Sequence, residues 1–359
     1  MKAISLFSGC GGLDLGVEQA GFNVIAANDN DPRAARAHAR NFPSVAFHLG
    51  SVTEFTEDRV KELVGPQNLG DIDLLVGGPP CPPFSKSRFY LKNKPRAMED
   101  PIGEETITGY LNTLRWSRPR AFILENVAGM AFKVHASTVD YIIKTAESLG
   151  YACTSRVLNA ADFGVPQIRQ RFFIVGIHRE AGAAEFRWPE ATHAEAPAET
   201  GLLPWEPVGK WIGDLDTEEN AADVGHVAGG KHRELLKQVP PGDNYLFFTA
   251  KRGHPNPQFE WRSRYWSFLL KLSPELPSWT IQARRSNNMG PLHWRNRMLR
   301  IEEVKRIQTF PDDWYLDGTI EQQWRQVGNA VPVGLARVLA ACVRDALSSV
   351  GSGEADLAA

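Results

Sequence analysis

The chain has 359 residues, of which 43% are hydrophobic and 23% are charged, which is the balance of an ordinary soluble globular protein. No apolar run approaches the length of about 18 residues that a membrane span needs, and the apolar stretch at the N-terminus is too short for a signal peptide, so we expect a cytoplasmic protein. The four cysteines form no Cys-x-x-Cys pair, which argues against a disulfide framework and against a metal site.

Strand-like and helix-like stretches alternate through the first half of the chain. Asp31 and Pro32 are expected to open the second helix, and Ser137 and Gly150 to bound the third. The predicted strands cover residues 3–7, 22–27, 73–76, 121–124 and 171–177, and the predicted helices cover 13–20, 32–40 and 137–149. This alternation predicts an α/β fold with a mostly parallel sheet and helices on both faces, in which ligands bind beyond the carboxyl ends of the strands.

The second half has a different texture and an uneven charge. We expect residues 186–321 to form a smaller domain of loops and short strands, and residues 1–185 with 322–348 to form the larger one. Further helices are predicted at 302–308 and 331–347, and residues 349–359 are expected to be a disordered tail. Residues 187–243 hold 5 Lys/Arg against 11 Asp/Glu, whereas residues 244–300 hold 10 against 2. The basic segment suggests a surface for phosphates, although it is equally compatible with a solvated face.

A glycine-rich loop, Phe7-Ser8-Gly9-Cys10-Gly11-Gly12-Leu13-Asp14, follows the first predicted strand. Glycine lets the backbone approach a ligand closely. The loop departs from the dinucleotide pattern because Asp14 stands where that pattern has glycine, and it lacks the Lys-Ser/Thr of a phosphate loop. It therefore suits a nucleoside without phosphates, such as S-adenosylmethionine. Asp29, after the second strand, can accept hydrogen bonds from ribose hydroxyls, with a turn or a helix cap as the alternative.

A second loop surrounds Cys81 with proline and glycine, in the order Gly77-Gly78-Pro79-Pro80-Cys81-Pro82-Pro83. Such a rigid setting favours a nucleophile over a structural thiol, and a thiolate suits conjugate addition to an electron-poor ring carbon. The other cysteines beyond the glycine loop, Cys153 and Cys342, are expected to be buried thiols.

Three charged residues follow or begin later strands. Glu125 comes directly after a buried strand, where a carboxyl group should have a raised pKa and could hydrogen-bond or protonate a ring nitrogen; a helix N-terminal cap is the alternative. Arg169 and Arg171 are spaced by two at the start of another strand, so we expect both guanidinium groups on one face, where they suit recognition of an anion or a carbonyl.

The motifs of this sequence, taken in their order along the chain, resemble those of the DNA cytosine-5 methyltransferase family of the bacterial and phage restriction-modification type. They are Phe-x-Gly-x-Gly-Gly, Pro-Cys, Glu-Asn-Val, Gln-x-Arg-x-Arg and Gly-Asn, and the stretch from Arg297 to Asp312 matches the motif that precedes Gly328-Asn329. The resemblance spans residues 3 to 345 except for a variable region between about 180 and 280.

The resemblance implies roles for individual residues. Cys81 would add to C6 of a cytosine flipped out of a DNA duplex, Glu125 would hold N3 and the exocyclic amine, Arg171 would bind O2, and Arg169 would support the site. The implied S-adenosylmethionine pocket comprises Phe7, Ser8, Gly9, Cys10, Gly11, Gly12, Leu13, Asp29, Ser51, Pro79 and Asn329. The implied DNA contacts are Pro80, Ser85, Arg88, Arg252, Arg262, Arg264, Arg284 and Arg285. Most tryptophans of the smaller domain, Trp261, Trp266, Trp279 and Trp294, are expected in its core.

The sequence departs from the family pattern at three points. Pro82 replaces the glutamine that commonly follows the catalytic cysteine, and Ser51 replaces an aspartate that meets the adenine amine. The mobile loop expected at residues 88–100 ends in Asp100-Pro101-Ile102, without the usual arginine.

Two other functions remain open from the sequence. An RNA cytosine-5 methyltransferase shares this motif set, although the long basic variable region favours double-stranded DNA. An inactive DNA-binding member is the second alternative, and the intact set of Cys81, Glu125, Arg171 and Asn329 argues against it. We expect a monomer, which could accompany a restriction endonuclease without direct contact.

Overall fold

A seven-stranded sheet forms the centre of the computed structural model, which describes residues 1–80, 97–262 and 265–349. Its strands are β1 (Lys2–Leu6), β2 (Asn23–Asp29), β3 (Ala46–Leu49), β4 (Leu74–Gly77), β5 (Ala121–Val127), β6 (Tyr151–Asn159) and β8 (Gln170–His178), and β7 (Gln167–Ile168) lies outside it. The spatial order is β3-β2-β1-β4-β5-β8-β6. Neighbours from β3 to β5 pair in parallel, whereas β8 runs antiparallel to both β5 and β6.

Helices cover both faces of this sheet, as the sequence predicts. They are α1 (Gly12–Gln19), α2 (Pro32–Asn41), α3 (Glu57–Val64), α4 (Pro101–Ser117), α5 (Ala136–Ser148), α10 (Ile301–Ile307), α11 (Ile320–Asn329) and α12 (Val333–Ser348). Side chains of each strand alternate between two cores. Ala3 packs with residues of α1 and α12, whereas Ile4 and Leu6 pack with residues of α3, α4 and α5. The chain thus has an α/β fold with a mostly parallel sheet and helices on both faces.

The segment after β8 consists mainly of short helices, turns and loops. Its elements are β9 (His193–Ala194), α6 (Pro197–Thr200), β10 (Leu203–Pro204), α7 (Val208–Ile212), α8 (Glu218–Ala222), α9 (Arg233–Gln238) and β11 (Ser278–Trp279). A separate apolar cluster includes Leu236, Tyr245 and Phe248. In contrast, Phe310 of the segment assigned to the smaller domain packs in the same core as α1 and α12. The domain boundaries therefore stay a prediction.

Two tryptophans are not where the sequence analysis placed them. Trp261 is 50% exposed and Trp266 is 40% exposed, so the prediction that they belong to the core of the smaller domain is wrong. Trp266 instead packs edge-on against Trp279, with ring centroids 4.3 Å apart. None of the helices in the described ranges is both long and apolar enough to cross a membrane.

Candidate active site

The carboxyl ends of five parallel strands and the start of β8 meet at one edge of the sheet. The strand order reverses between β1 and β4, because β2 and β3 lie on one side of β1 and β5 lies beyond β4. A reversal of this kind opens a crevice, and ligands of α/β sheets bind there. The two loops singled out by the sequence, after β1 and after β4, flank this point.

The glycine loop is closed on one side and open on the other. A Cβ atom at Gly11 would lie 2.4 Å from Cε2 of Phe42, and one at Gly12 would lie 2.7 Å from the carbonyl oxygen of Val331. Both positions therefore exclude a side chain. A Cβ atom at Gly9 would meet nothing nearer than the carbonyl oxygen of Phe7, at 4.0 Å. The loop thus has a free face that a ligand can approach.

Asp29 holds this loop at the end of β2. Its carboxylate accepts hydrogen bonds from the backbone N–H of Gly9 at 2.8 Å and of Asp31 at 2.9 Å. Burial raises the pKa of the Asp29 carboxyl group, and these hydrogen bonds oppose the rise. Asp31 is the N-cap of α2, since its side chain accepts from the backbone N–H of Arg33, so the cap predicted at this position is confirmed.

A buried chain of polar side chains lies beneath the loop. Ser8 donates to the hydroxyl of Ser5 at 3.0 Å, Ser5 donates to Asp14, and the other oxygen of Asp14 lies 3.0 Å from Nε2 of His38.

Burial raises the pKa of the Cys10 thiol to about 12, which makes this thiol unreactive near neutral pH. Cys10 can therefore serve the loop only through its backbone.

Arg169 fixes the turn that carries Asn329. Its guanidinium group is buried and donates to the carbonyl oxygens of Ile281 at 2.8 Å, Gly328 at 2.7 Å and Ala330 at 3.0 Å. Asn329 is exposed at the end of α11, and the turn after it lies against Gly12. Sequence spacing suggested that Arg169 faces the same site as Arg171, but its hydrogen bonds point to a positioning role.

The buried Glu125 and the partly buried Arg171 form an ion pair at the sheet edge. The antiparallel register places Arg171 opposite Val127, two residues beyond Glu125, and Nε of Arg171 lies 2.9 Å from Oε1 of Glu125. Burial raises the pKa of Glu125, while the positive charges of Arg171 and Arg169 partly oppose the rise. Glu125 lies within β5, so the alternative of a helix cap is wrong.

The loop before Cys81 is tied to the same strand. The side-chain amide of Asn126 donates to the carbonyl oxygen of Pro79 at 3.2 Å, and a Cβ atom at Gly78 would lie only 2.6 Å from Oε2 of Glu125. The chain therefore passes directly over Glu125 just before the cysteine. Cys81, Pro82, Ser85, Arg88, Arg264 and the tail beyond residue 349 lie outside the described residues, as does most of the expected mobile loop.

Ser51 lies after β3 and faces a carboxylate that the sequence analysis missed. Its hydroxyl oxygen accepts from the backbone N–H of Thr53 at 3.2 Å and lies 2.6 Å from Oε1 of Glu105 on α4. No motif surrounds Glu105, and 54 residues separate it from Ser51, so nothing in the sequence signalled the contact.

The arginines proposed to contact DNA differ in their surroundings. Arg252, Arg262 and Arg284 are exposed. Arg252 forms an ion pair with Asp243 at 2.8 Å, and Arg262 forms one with Glu260 at 3.4 Å. The side chain of Arg285 is only 8% exposed and lies between the carbonyl oxygen of Gly225 and the carboxylate of Glu321. Pro80, the residue before Cys81, is half-buried.

Comparisons with known proteins identify the family of this chain. Residues 1–344 match the family of C-5 cytosine-specific DNA methylases. The chain is 37% identical to Type II methyltransferase M.SacI of Streptomyces achromogenes, over 98% of this chain and 95% of that protein. It is 32% identical to Type II methyltransferase M.NgoFVII of Neisseria gonorrhoeae, over 92% of this chain and 83% of that protein. A crystal structure of a Spodoptera frugiperda DNMT2 variant has the same fold, with a TM-score of 0.66 and 16% identity over 96% of this chain and 99% of that one. The chain therefore belongs to the family of C-5 cytosine-specific DNA methylases and is a DNA cytosine-5 methyltransferase.

Proposed function

We propose that this chain transfers a methyl group from S-adenosylmethionine to C5 of a cytosine that is flipped out of a specific DNA duplex sequence, through a covalent bond between Cys81 and C6. The observation that carries the proposal is the ion pair of the buried Glu125 with Arg171, with Asn126 holding the loop two residues before Cys81. A carboxyl group and a guanidinium group thus meet at the sheet edge, beneath the loop that leads to Cys81 in the sequence.

The residues around the glycine loop fit S-adenosylmethionine. The open face at Gly9 gives room for a nucleoside, and the carboxylate of Asp29 lies beside it for ribose hydroxyls. When bound, the sulfonium supplies an electrophilic methyl group, which C5 of the activated cytosine attacks. The residues proposed to line this pocket are Phe7, Ser8, Gly9, Cys10, Gly11, Gly12, Leu13, Asp29, Ser51, Pro79 and Asn329.

The protein side chains activate the base and then release it. The thiolate of Cys81 forms a bond to C6, and the electron pair of the C5–C6 double bond moves toward C5 while Glu125 transfers its proton to N3. N3 returns this proton to Glu125 when the product forms. Arg171 donates to O2 of the base and holds Glu125 in place. After methylation, C5 loses its proton to solvent and the C6–S bond breaks, which restores the double bond and frees the thiolate.

The DNA substrate has to present the cytosine outside the base stack, because C6 cannot be reached within it. We assign phosphate or base contacts to the exposed Arg252, Arg262 and Arg284, and to Pro80 at the mouth of the site. Ser85, Arg88 and Arg264 complete the proposed surface on sequence grounds.

Two relatives are named Type II methyltransferases. We therefore propose that this chain protects a recognition sequence in the bacterial cytoplasm, acts as a monomer and does not contact its endonuclease.

Identification of the methylated nucleoside tests this proposal. The protein would be incubated with S-adenosylmethionine carrying a deuterated methyl group and with bacterial duplex DNA, or with tRNA, before digestion and mass spectrometry. We expect labelled 5-methyldeoxycytidine from DNA. Label confined to tRNA would transfer the proposal to the RNA branch, and label on an exocyclic amine would overturn the role of Cys81.

A further inference from the structure

The end of β3 lies beside the proposed ribose site. The backbone N–H of Gly50 donates to the carbonyl oxygen of Asp29 at 3.1 Å, and the side chain of Asn28 donates to the carbonyl oxygen of Gly50 at 3.0 Å. Ser51 therefore directly follows Gly50, whose backbone is hydrogen-bonded to Asp29, the residue proposed to bind the ribose. In the proposed reaction the methyl donor has to face the cytosine at Glu125 on β5, so a nucleoside whose ribose lies at Asp29 has its base on the opposite side, toward the end of β3.

Helix α4 brings a carboxylate to the same point. A Cβ atom at Gly109 would lie 2.3 Å from Cγ1 of Val52, so the helix backbone rests directly on the turn that follows Ser51. Glu105 is four residues before Gly109 and lies on the same face of the helix. Its Oε1 atom is 2.6 Å from the hydroxyl oxygen of Ser51.

The hydrogen-bonding capacity of this pair points to a ligand donor. An ionised carboxylate offers about four acceptor positions, and the Ser51 hydroxyl occupies one of them. The serine oxygen already accepts from the backbone N–H of Thr53. An exposed carboxylate beside the expected position of a purine can accept from an exocyclic amine, and it would repel the carbonyl oxygen of a 6-oxopurine.

We propose that Glu105 accepts a hydrogen bond from the adenine amine of the cofactor, so that α4 supplies the carboxylate that the end of β3 lacks. This inference rests on the proposed binding of S-adenosylmethionine at the glycine loop. It makes Glu105 a specificity residue for the base of the cofactor, with Ser51 orienting its carboxylate.

Calorimetric titration with two ligands tests this role. One ligand is S-adenosylhomocysteine, and the other is its 6-deamino analogue, which carries hydrogen in place of the amine. We expect the wild-type protein to prefer the amine by about tenfold or more, as for a hydrogen bond to a charged group. Glu105→Ala should reduce this preference to less than about twofold, whereas Glu104→Ala, a matched exposed control one residue earlier, should keep it.

A rescue variant separates recognition from mere support of the turn. In the Glu105→Ala background, Ser51→Asp places a carboxylate at the end of β3 and should restore the preference for the amine. An unchanged preference in Glu105→Ala, or equal weakening of both ligands, would overturn the role of Glu105. Failure of the wild-type protein to bind S-adenosylhomocysteine would instead overturn the proposed cofactor, and the inference with it.

Discussion

At Glu125, burial and positive charge act on one carboxyl group in opposite directions. Burial raises its pKa, and Arg171 and Arg169 limit the rise. Because the proposed role needs a proton that Glu125 can donate to N3, kcat/KM should fall as pH rises through the raised pKa of the free enzyme. Arg171→Ala removes the nearest opposing charge, so this fall should move to higher pH.

The Gln variant provides the control for this pH dependence. Glu125→Gln keeps a donor but cannot transfer a proton, so its single-turnover rate should be about 100- to 10,000-fold lower and should lack the alkaline fall that Glu125 causes. Rates measured between pH 5 and 9 by rapid quench would show both effects. A profile for Glu125→Gln that overlies that of the wild type would remove Glu125 from the chemical step.

Gly78 tests how closely the cysteine loop and Glu125 are fitted together. In Gly78→Ala the added carbon would lie 2.6 Å from Oε2 of Glu125, so either the loop or the carboxylate has to move. Displacement of about 1 Å in an active site can cost on the order of 100-fold in rate, and we expect a loss of 10- to 100-fold in kcat. Gly213→Ala is the matched control, since a Cβ atom there meets nothing within 4 Å. Equal activity of the two variants would contradict the fit.

Residues adjacent to strand ends could be located from the sequence, whereas distant partners could not. Glu125, Arg171 and Asp29 each lie within two residues of a predicted strand end, so their place at the sheet edge follows from topology. The contacts of Arg169 with Ile281 and Gly328 span 112 and 159 residues, and no local pattern encodes them. For the same reason Glu105 could be found only in the folded chain.

At the level of elements, the β7–β8 junction joins three parts of the chain through Arg169. Its contacts with the carbonyl oxygens of Ile281 and Gly328 are buried, so Arg169→Met would leave these two acceptors without this donor, each costing about 1–3 kcal/mol. We expect the free energy of unfolding in urea to fall by roughly 3–5 kcal/mol. Exposed Arg115 on α4 is the control, and its change to Met should cost less than about 0.5 kcal/mol. An equally small fall in the free energy of unfolding of Arg169→Met would contradict the positioning role of Arg169.

Elements with clear boundaries were predicted well, and those shaped by tertiary contacts were not. Strand β2 and helix α2 match because Asp31 and Pro32 mark the helix start locally. Ser137 resembles an N-cap, but α5 begins one residue earlier, directly after a turn of 3-10 helix at Lys133–His135. Helix α4 was not predicted, although Asp100 and Pro101 mark its start as Asp31 and Pro32 mark that of α2, because these two residues were assigned to the end of the expected mobile loop. Its Gly109 is required by the close approach of Val52. In the segment after β8, exposed Trp261 shows that tryptophan content alone did not identify the core.

Over the whole molecule, the charge is nearly balanced, and the basic residues are concentrated in one segment. The net charge is −2, yet residues 244–300 carry an excess of Lys and Arg. Neutralising phosphates releases counterions, and the slope of log K against log salt changes by roughly 0.9 for each contact. Arg262→Gln with Arg284→Gln should therefore weaken DNA binding and reduce the slope by about 2. Lys61→Gln on α3 should leave the slope unchanged. An unchanged slope in the double variant would locate the DNA surface elsewhere.

The central claim is that Cys81 attacks a cytosine of duplex DNA within the site framed by Glu125, Asn126 and Arg171. The most direct test is covalent trapping on a duplex in which 5-fluorocytosine replaces cytosine, because fluorine blocks the loss of the C5 substituent and leaves the C6–S bond in place. With S-adenosylmethionine present, we predict a complex that survives denaturation, that maps to a Cys81 peptide and that is absent in Cys81→Ala. A complex retained by Cys81→Ala, or complete methyl transfer by that variant on ordinary DNA, would contradict the account.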